Sequence, residues 1–420
     1  MIKLNGTVTD ATDFYNGADP FELTDAYGSP LYVYNERILR QNCRELKGMC
    51  GYPKFKVNFS VKANSNLTIL RIAREEGLMV DAMSEGEIYA ELAAGFAPGE
   101  IFFIPNNISE DEMRYAIERG IIVSADSVSQ LERMARINPG GRVAVRLNPG
   151  IGAGDNEKVI TAGKDAKFGV NPDQIPEVKR VIQEYGLKLA GVNQHIGSLF
   201  LEKGHYIESV EALLKIAAQF EDLEFIDLGG GFGIPYRKQE GQPRLDLKDM
   251  GESLAEALTR FAASYGKEVD VIVEPGRYVT AEAGVVLGTV HAVKYNGGDK
   301  YIGTDIGFNV LIRPALYGAH HDIEVYRREG GAADHWAPEV VNVVGNICES
   351  TDMLAKGRLL PAIMEGDLLG VLDAGSYGHV MSSTFNNRLR PAEVMLREDR
   401  SVQLIRRRDT LEDLIRPYQI

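Results

Sequence analysis

The sequence has few cysteines, no cluster of cysteine with histidine, no long basic run and no long apolar run. Its three cysteines, Cys43, Cys50 and Cys348, are odd in number and none stands in a CxxC spacing. Neither a disulfide framework nor a structural zinc site is indicated, and no metal is expected. The formal net charge is −14, with Lys and Arg dispersed, which argues against a nucleic-acid or anionic-membrane surface. No apolar run reaches the ~20 residues that a membrane span needs. The start, MIKLNGTVTDATDFYNGADPF, lacks the basic stretch and apolar run of a signal peptide, so a cytoplasmic location is expected. Disorder does not suit a chain with 44% hydrophobic and 25% charged residues. These exclusions leave small-molecule chemistry as the default.

What is present is a rhythm. At 420 residues the chain exceeds one ordinary hydrophobic core, so two domains are expected. Short β-branched or aromatic runs recur, each followed by a polar stretch of helical period: FKVNFSV (55–61), LMVDA (78–82), IFFI (101–104), IIVSA (121–125), RVAVRLN (142–148), LAGVNQH (189–195), FIDL (225–228) and VDVIVE (269–274). Ser84 ahead of Glu87, and Ser109 ahead of Glu110, Asp111 and Glu112, read as helix-capping boxes between them. Eight such repeats predict an α/β fold, a (β/α)8 TIM barrel over 35–280. After 280 the chain reads as strands with glycine-rich turns. This C-terminal β domain, a β-sandwich or β-barrel-like unit over 281–420, is completed by the N-terminal segment 1–34, whose GSPLYVYN is strand-like.

Barrel active sites form at the C-terminal ends of the strands, which directs attention to Lys62, Asp81, His195, Gly229, Gly230, Gly231, Glu274 and Arg277. Lysine alone is usually a solvated charge, but at a barrel mouth it can form an imine with an aldehyde cofactor. A glycine run at the end of the seventh strand is either a tight turn or a place where backbone approaches a phosphate, and the hydroxyl of Ser198 could join it. Glu274 is either half of an ion pair or a carboxylate facing a pyridine nitrogen, and His195 either a satisfied core residue or a ring that stacks on the pyridine. The composite points to pyridoxal phosphate far more specifically than any member does.

FSVKAN, VDAMSEGE, HIGS, DLGGGFG, EPGRYV, TDIGFN, LIRPALYG, CESTD and SYG together resemble the meso-diaminopimelate decarboxylases of the alanine racemase-like, fold-type III class, in family order from about residue 20 to Tyr418. The resemblance implies Lys62 as the Schiff-base lysine and His195 as the stacking ring. It places Gly229, Gly230, Gly231 and Ser198 at the phosphate and Glu274 at the pyridine nitrogen, with Asp81, Gly276, Arg277 and Tyr377 also at the cofactor. Arg277, Arg313, Tyr317, Glu349 and Tyr377 become substrate contacts, and Cys348, from the partner subunit of a homodimer with shared sites, the proton donor. The implied reaction is decarboxylation of meso-2,6-diaminopimelate to L-lysine, the last step of lysine biosynthesis. Two arginines and Glu349 suit a substrate whose far end carries both a carboxylate and an ammonium.

The chain departs from the family pattern at Ser376, where alanine is usual, near Asn346, where proline is common, at Leu199, where Gly or Gln often stands, and around IPNNIS (104–109). The alternative within enzymes is a related decarboxylase of another basic amino acid or carboxylated polyamine. A racemase fits less well, because CES is not its pattern, and a non-catalytic cofactor carrier resembles only the barrel half. The segment 150–169, GIGAGDNEKVITAGKDAKFG, is where a closing loop is to be sought.

Overall fold

The computed structural model describes residues 1–150, 167–328 and 337–419; of the segment 150–169, positions 151–166 lie outside the described residues. The chain divides into two compact units, one of Arg40–Ile234 with Arg244–Val279, the other of Met1–Leu39, Pro235–Pro243 and Thr280–Ile420.

The first unit is a closed barrel of eight parallel strands, Phe55–Ser60, Met79–Ala82, Ile101–Phe103, Ile122–Ala125, Arg142–Arg146, Lys188–Asn193, Phe225–Asp227 and Asp270–Val273. They neighbour one another in chain order, and Val271 and Val273 of the last strand pair with Phe55 and Val57 of the first to close the ring. All eight expected runs are strands. Apolar side chains from successive strands fill the interior, with Phe102, Ala144, Ala190, Phe225 and Ile272 in one cluster and Phe102 meeting Phe225 edge to face at 5.1 Å. The helix starts follow the capping logic, with one difference. Ser109 and Glu112 form the full reciprocal box, whereas Glu87 bonds the amide of Met83 at 2.6 Å, one residue before the capping Ser84. The shift pulls Glu87 toward the strand end instead of the helix cap.

In the second unit the strand Gly284–Asn296 is the hub. It pairs antiparallel with Leu31–Asn35, with Leu368–Val371 and with Asp299–Thr304. Leu31–Asn35 also pairs parallel with Ala392–Leu396, so the N-terminal segment completes this sheet as expected. Phe14, Leu31, Val33, Val285, Leu287, Leu368, Ala392 and Val394 make its core. The expectation of strands alone was too simple, because short helices at Pro20–Tyr27, Arg313–Tyr317 and Leu411–Ile415 also belong here. The excursion Pro235–Pro243 is fastened within this unit by Lys238, which pairs with Glu282 at 3.0 Å and with Asp373, and by the Gln239 amide on Asp322 at 2.9 Å.

Candidate active site

In a strand, residue i+2 returns to the face of residue i. In the barrel that step turns the interior from apolar to polar at the C-terminal ends of the strands: Phe225 gives way to Asp227, Ile272 to Glu274, Ala144 to Arg146 and Ile122 to Ser124. Asp81, Arg146, Asp227 and Glu274 are all buried. Lys62 is half-buried in the single turn Val61–Ala63 that follows the first strand. Ser60, two residues earlier, donates its hydroxyl proton to Asp81 at 2.9 Å. The barrel thus brings together Lys62, Asp81, His195, the glycine run and Glu274, while Arg277 donates to Ser198 Oγ at 3.0 Å.

The glycine run passes where side chains cannot. A Cβ at Gly230 would sit 1.9 Å from the carbonyl oxygen of Glu274, and one at Gly229 would sit 2.2 Å from that of Gln194. Gly229 (φ +73°) and Gly231 (φ +111°) also need left-handed backbone. Two of the three amides are engaged internally. Gly229 N–H donates to Asp227 Oδ1 at 2.8 Å and Gly230 N–H to His195 Nδ1 at 3.2 Å. An Nδ1 that accepts leaves the imidazole proton on Nε2, which fixes one tautomer. Leu199, one of the departures from the family pattern, has φ +69°, a region that glycine occupies without strain.

The electrostatics follow from burial. Burial, and then the charge of Asp227, raises Glu274 well above the ordinary carboxyl range, with Lys62 and Arg146 opposing. Burial and Glu274 likewise raise Asp81, while Lys62 and the Ser60 hydroxyl act in the other direction. Burial pushes Asp227 up to about 7. His195 is held well below the usual imidazole value by burial, then by Lys62 and Arg146, so the ring is neutral at neutral pH. Glu274 Oε1 and Asp227 Oδ2 accept no hydrogen from any described N–H or O–H group, and the two carboxyls lie within hydrogen-bonding reach of each other.

The other expected residues lie in the second unit. Arg313 opens the helix Arg313–Tyr317, is buried, and holds its guanidinium 4.5 Å from the ring centroid of Tyr236. Tyr317 is one turn further along the same helix. Tyr377 is half-buried with φ +54°. The preceding Ser376 is buried, and its hydroxyl, absent from the usual alanine, bonds Thr280 Oγ1 at 2.6 Å. Cys348 and Glu349 are exposed after the strand Glu339–Val344. Asn386 takes the Cys348 amide on Oδ1 at 3.0 Å and donates Nδ2–H to Cys348 Sγ at 3.1 Å.

Sequence reasoning passed over Arg146, Asp227 and Asn386. A charge inside each of the runs RVAVRLN and FIDL was the available signal for the first two, since a charged residue in a buried strand needs a reason. Asn386 left no comparable mark.

A closed barrel with a lysine, a glycine cradle and a buried carboxyl at one end defines a class, and residues 37–281 match the family described as Pyridoxal-dependent decarboxylase, pyridoxal binding domain. Over 413 residues the chain is 42% identical to the diaminopimelate decarboxylase of Methanothermobacter thermautotrophicus, covering 96% of this chain and 95% of the relative. It is 36% identical to that of Escherichia coli K12, covering 98% of each. A crystal structure of diaminopimelate decarboxylase from Helicobacter pylori complexed with L-lysine superposes with a TM-score of 0.86 at 31% identity, covering 95% of this chain and 99% of that one. The chain belongs to the diaminopimelate decarboxylase family. It is a pyridoxal-phosphate-dependent carboxy-lyase.

The residues fit that cofactor on two observations. Glu274 Oε1 is a buried acceptor awaiting a donor, which a protonated pyridine nitrogen is, and the glycine run leaves bare backbone where a bulky anion has to approach. Among the described residues no group of three or more His, Cys, Asp or Glu could hold a metal ion, and no helix is long and apolar enough to cross a membrane.

Asp227 gives a pH prediction. Its folded value of about 7 exceeds the ordinary Asp value of ~3.9, so the folded state holds a proton that the unfolded state has lost. The associated stability is present at acid pH and disappears as pH rises toward and through 7. In the cofactor-free protein, the urea midpoint of wild type should therefore fall between pH 5 and 8 more steeply than that of Asp227→Asn. Equal slopes would show that Asp227 is not the titrating group.

Proposed function

We propose that this decarboxylase converts meso-2,6-diaminopimelate to L-lysine and carbon dioxide, with its cofactor attached covalently at Lys62. The observation that carries the reading is the polar end of the barrel, where Lys62, Asp81 and Glu274 act on one another electrostatically beside a glycine run that tolerates no side chain. The substrate comes from the relatives, which are named for diaminopimelate and one of which carries L-lysine, the expected product.

In this reading Lys62 is the anchor, with Asp81 setting the charge around its amine. Glu274 faces the pyridine nitrogen and His195 stacks on the ring, its neutral Nδ1 kept in place by Gly230. Gly229, Gly230, Gly231, Gly276 and Ser198 lie at the phosphate. Since Gly229 and Gly230 already give their amides to Asp227 and His195, the run serves chiefly by leaving room and by the amide of Gly231. When bound, pyridoxal phosphate supplies an electron sink for the pair left behind by departing carbon dioxide. The forks of Arg313 and Arg277, with Tyr317 and Tyr377 as further substrate contacts, hold the substrate's distal carboxylate, and Glu349 takes the distal ammonium. The partner subunit's Cys348 delivers a proton from Sγ to the α-carbon. The site is accordingly shared in a homodimer.

Two experiments test this. Supplied with meso-2,6-diaminopimelate, the protein should release carbon dioxide and form L-lysine in equal amounts. Turnover of ornithine, lysine or a carboxylated polyamine instead would replace the substrate assignment. Mixing inactive Lys62→Ala and Cys348→Ala chains should restore part of the activity, because one hybrid site regains both residues; no recovery would mean that each subunit keeps its own acid.

A further inference from the structure

We infer that His321 is a positioning residue for Arg313, a neutral imidazole of fixed tautomer that sets the guanidinium's orientation and so governs recognition of the substrate's distal carboxylate. The inference rests on the reading above, in which Arg313 grips that carboxylate, and adds a residue that contacts neither substrate nor cofactor.

The geometry allows one arrangement of protons. His321 Nδ1 lies 2.7 Å from the carbonyl oxygen of Leu372, and a carbonyl only accepts, so Nδ1 carries the hydrogen. His321 Nε2 lies 2.7 Å from Arg313 Nη1, and a guanidinium only donates, so Nε2 presents its lone pair. With both bonds in place the ring has one proton and no charge. His321 is 2% exposed and Arg313 4%, so neither bond is diluted by bulk water. The Tyr236 ring completes the holder, with its centroid 4.5 Å from Arg313 Cζ and its plane edge-on to the His321 ring at 5.2 Å.

A planar fork binds a carboxylate bidentately only when its plane is fixed, and an arginine has many rotamers to lose. Tyr236 restricts the plane of the guanidinium, and His321 restricts rotation within that plane by engaging one named nitrogen. The other end of the imidazole is tied to Leu372, five residues before Tyr377, so the turn that presents Tyr377 also fixes Arg313. An apolar residue at 321 would leave Arg313 buried with an unanswered N–H. A lysine at 313 would keep the charge without the fork.

The expected kinetic consequence is selective. An interaction that orients a distal grip contributes equally to bound substrate and transition state, so its loss raises KM and leaves kcat nearly unchanged. Two replacements separate the two ends of the ring. Asn at 321 can reach the Leu372 carbonyl but not Arg313, while Gln places an acceptor near the former Nε2 position. On the holoenzyme with meso-2,6-diaminopimelate, His321→Asn should raise KM about tenfold with kcat within about threefold of wild type, a loss in keeping with a hydrogen bond to a charged group. His321→Gln should recover most of the loss, and both should keep the wild-type cofactor absorbance. Unchanged KM in His321→Asn would overturn the inference, and so would a parallel fall of kcat and cofactor content that Gln does not repair. Arg313→Lys is the control. If it raises KM while His321→Asn does not, the inference alone fails; if it leaves KM unchanged, the grip assigned to Arg313 fails and the inference falls with it.

Discussion

Three carboxyl groups, Asp81, Asp227 and Glu274, are buried at one end of the barrel with Lys62 and Arg146 as the nearby cations, and the site is organised around that imbalance. An ionised carboxylate in a dry environment costs several kcal/mol unless it is paired. The folded protein answers by a raised proton affinity of these groups, by the Ser60 hydroxyl on Asp81 and by the Gly229 amide on Asp227. Glu274 keeps one oxygen without a donor. In the proposed reading a protonated pyridine ring would supply both the donor and the missing positive charge, so the same arrangement that is unfavourable in the bare protein would favour the cofactor. The depressed basicity of His195 has the same origin, since a charged ring buried beside Lys62 and Arg146 would add a further repulsion.

The second unit applies the opposite rule, with a cation buried and neutral groups gathered around it. Arg313 rests on the Tyr236 face and on a His321 lone pair. In the proposed reading, a salt bridge at those contacts would compete with the substrate's distal carboxylate. Aromatic and imidazole partners hold it without that competition. Lys238, by contrast, is a structural cation, enclosed by Glu282 and Asp373 and fixing the excursion that carries Tyr236.

How much of this was legible depended on where a residue stood in its strand. The eight barrel runs were readable because β-branched and aromatic residues clustered between polar helical stretches, and Lys62, His195 and Glu274 stood out because the first directly follows such a run and the other two end theirs. Asp227 and Arg146 were hidden inside the runs, where one charge is easily taken for an outward-facing residue. The strand Ile323–Arg327 is hard to read from sequence for a related reason. Its Glu324 and Arg327 look like surface charges, yet all five residues are buried. Glu324 takes the amides of Val8 and Thr9, and Arg327 is bonded to Asp367 at 2.8 and 2.7 Å. No local pattern reveals a partner more than three hundred residues away. The Glu87 bond to Met83 and the two engaged glycine amides are matters of a single ångström, below what residue types encode.

The central claim is that the polar end of the barrel carries its cofactor on Lys62. Borohydride reduction of the holoenzyme, followed by digestion and mass analysis, tests it directly. The account predicts one reduced pyridoxyl group, on the peptide that contains Lys62, and its absence from Lys62→Ala. Label on any other lysine, or undiminished labelling in that variant, would contradict it.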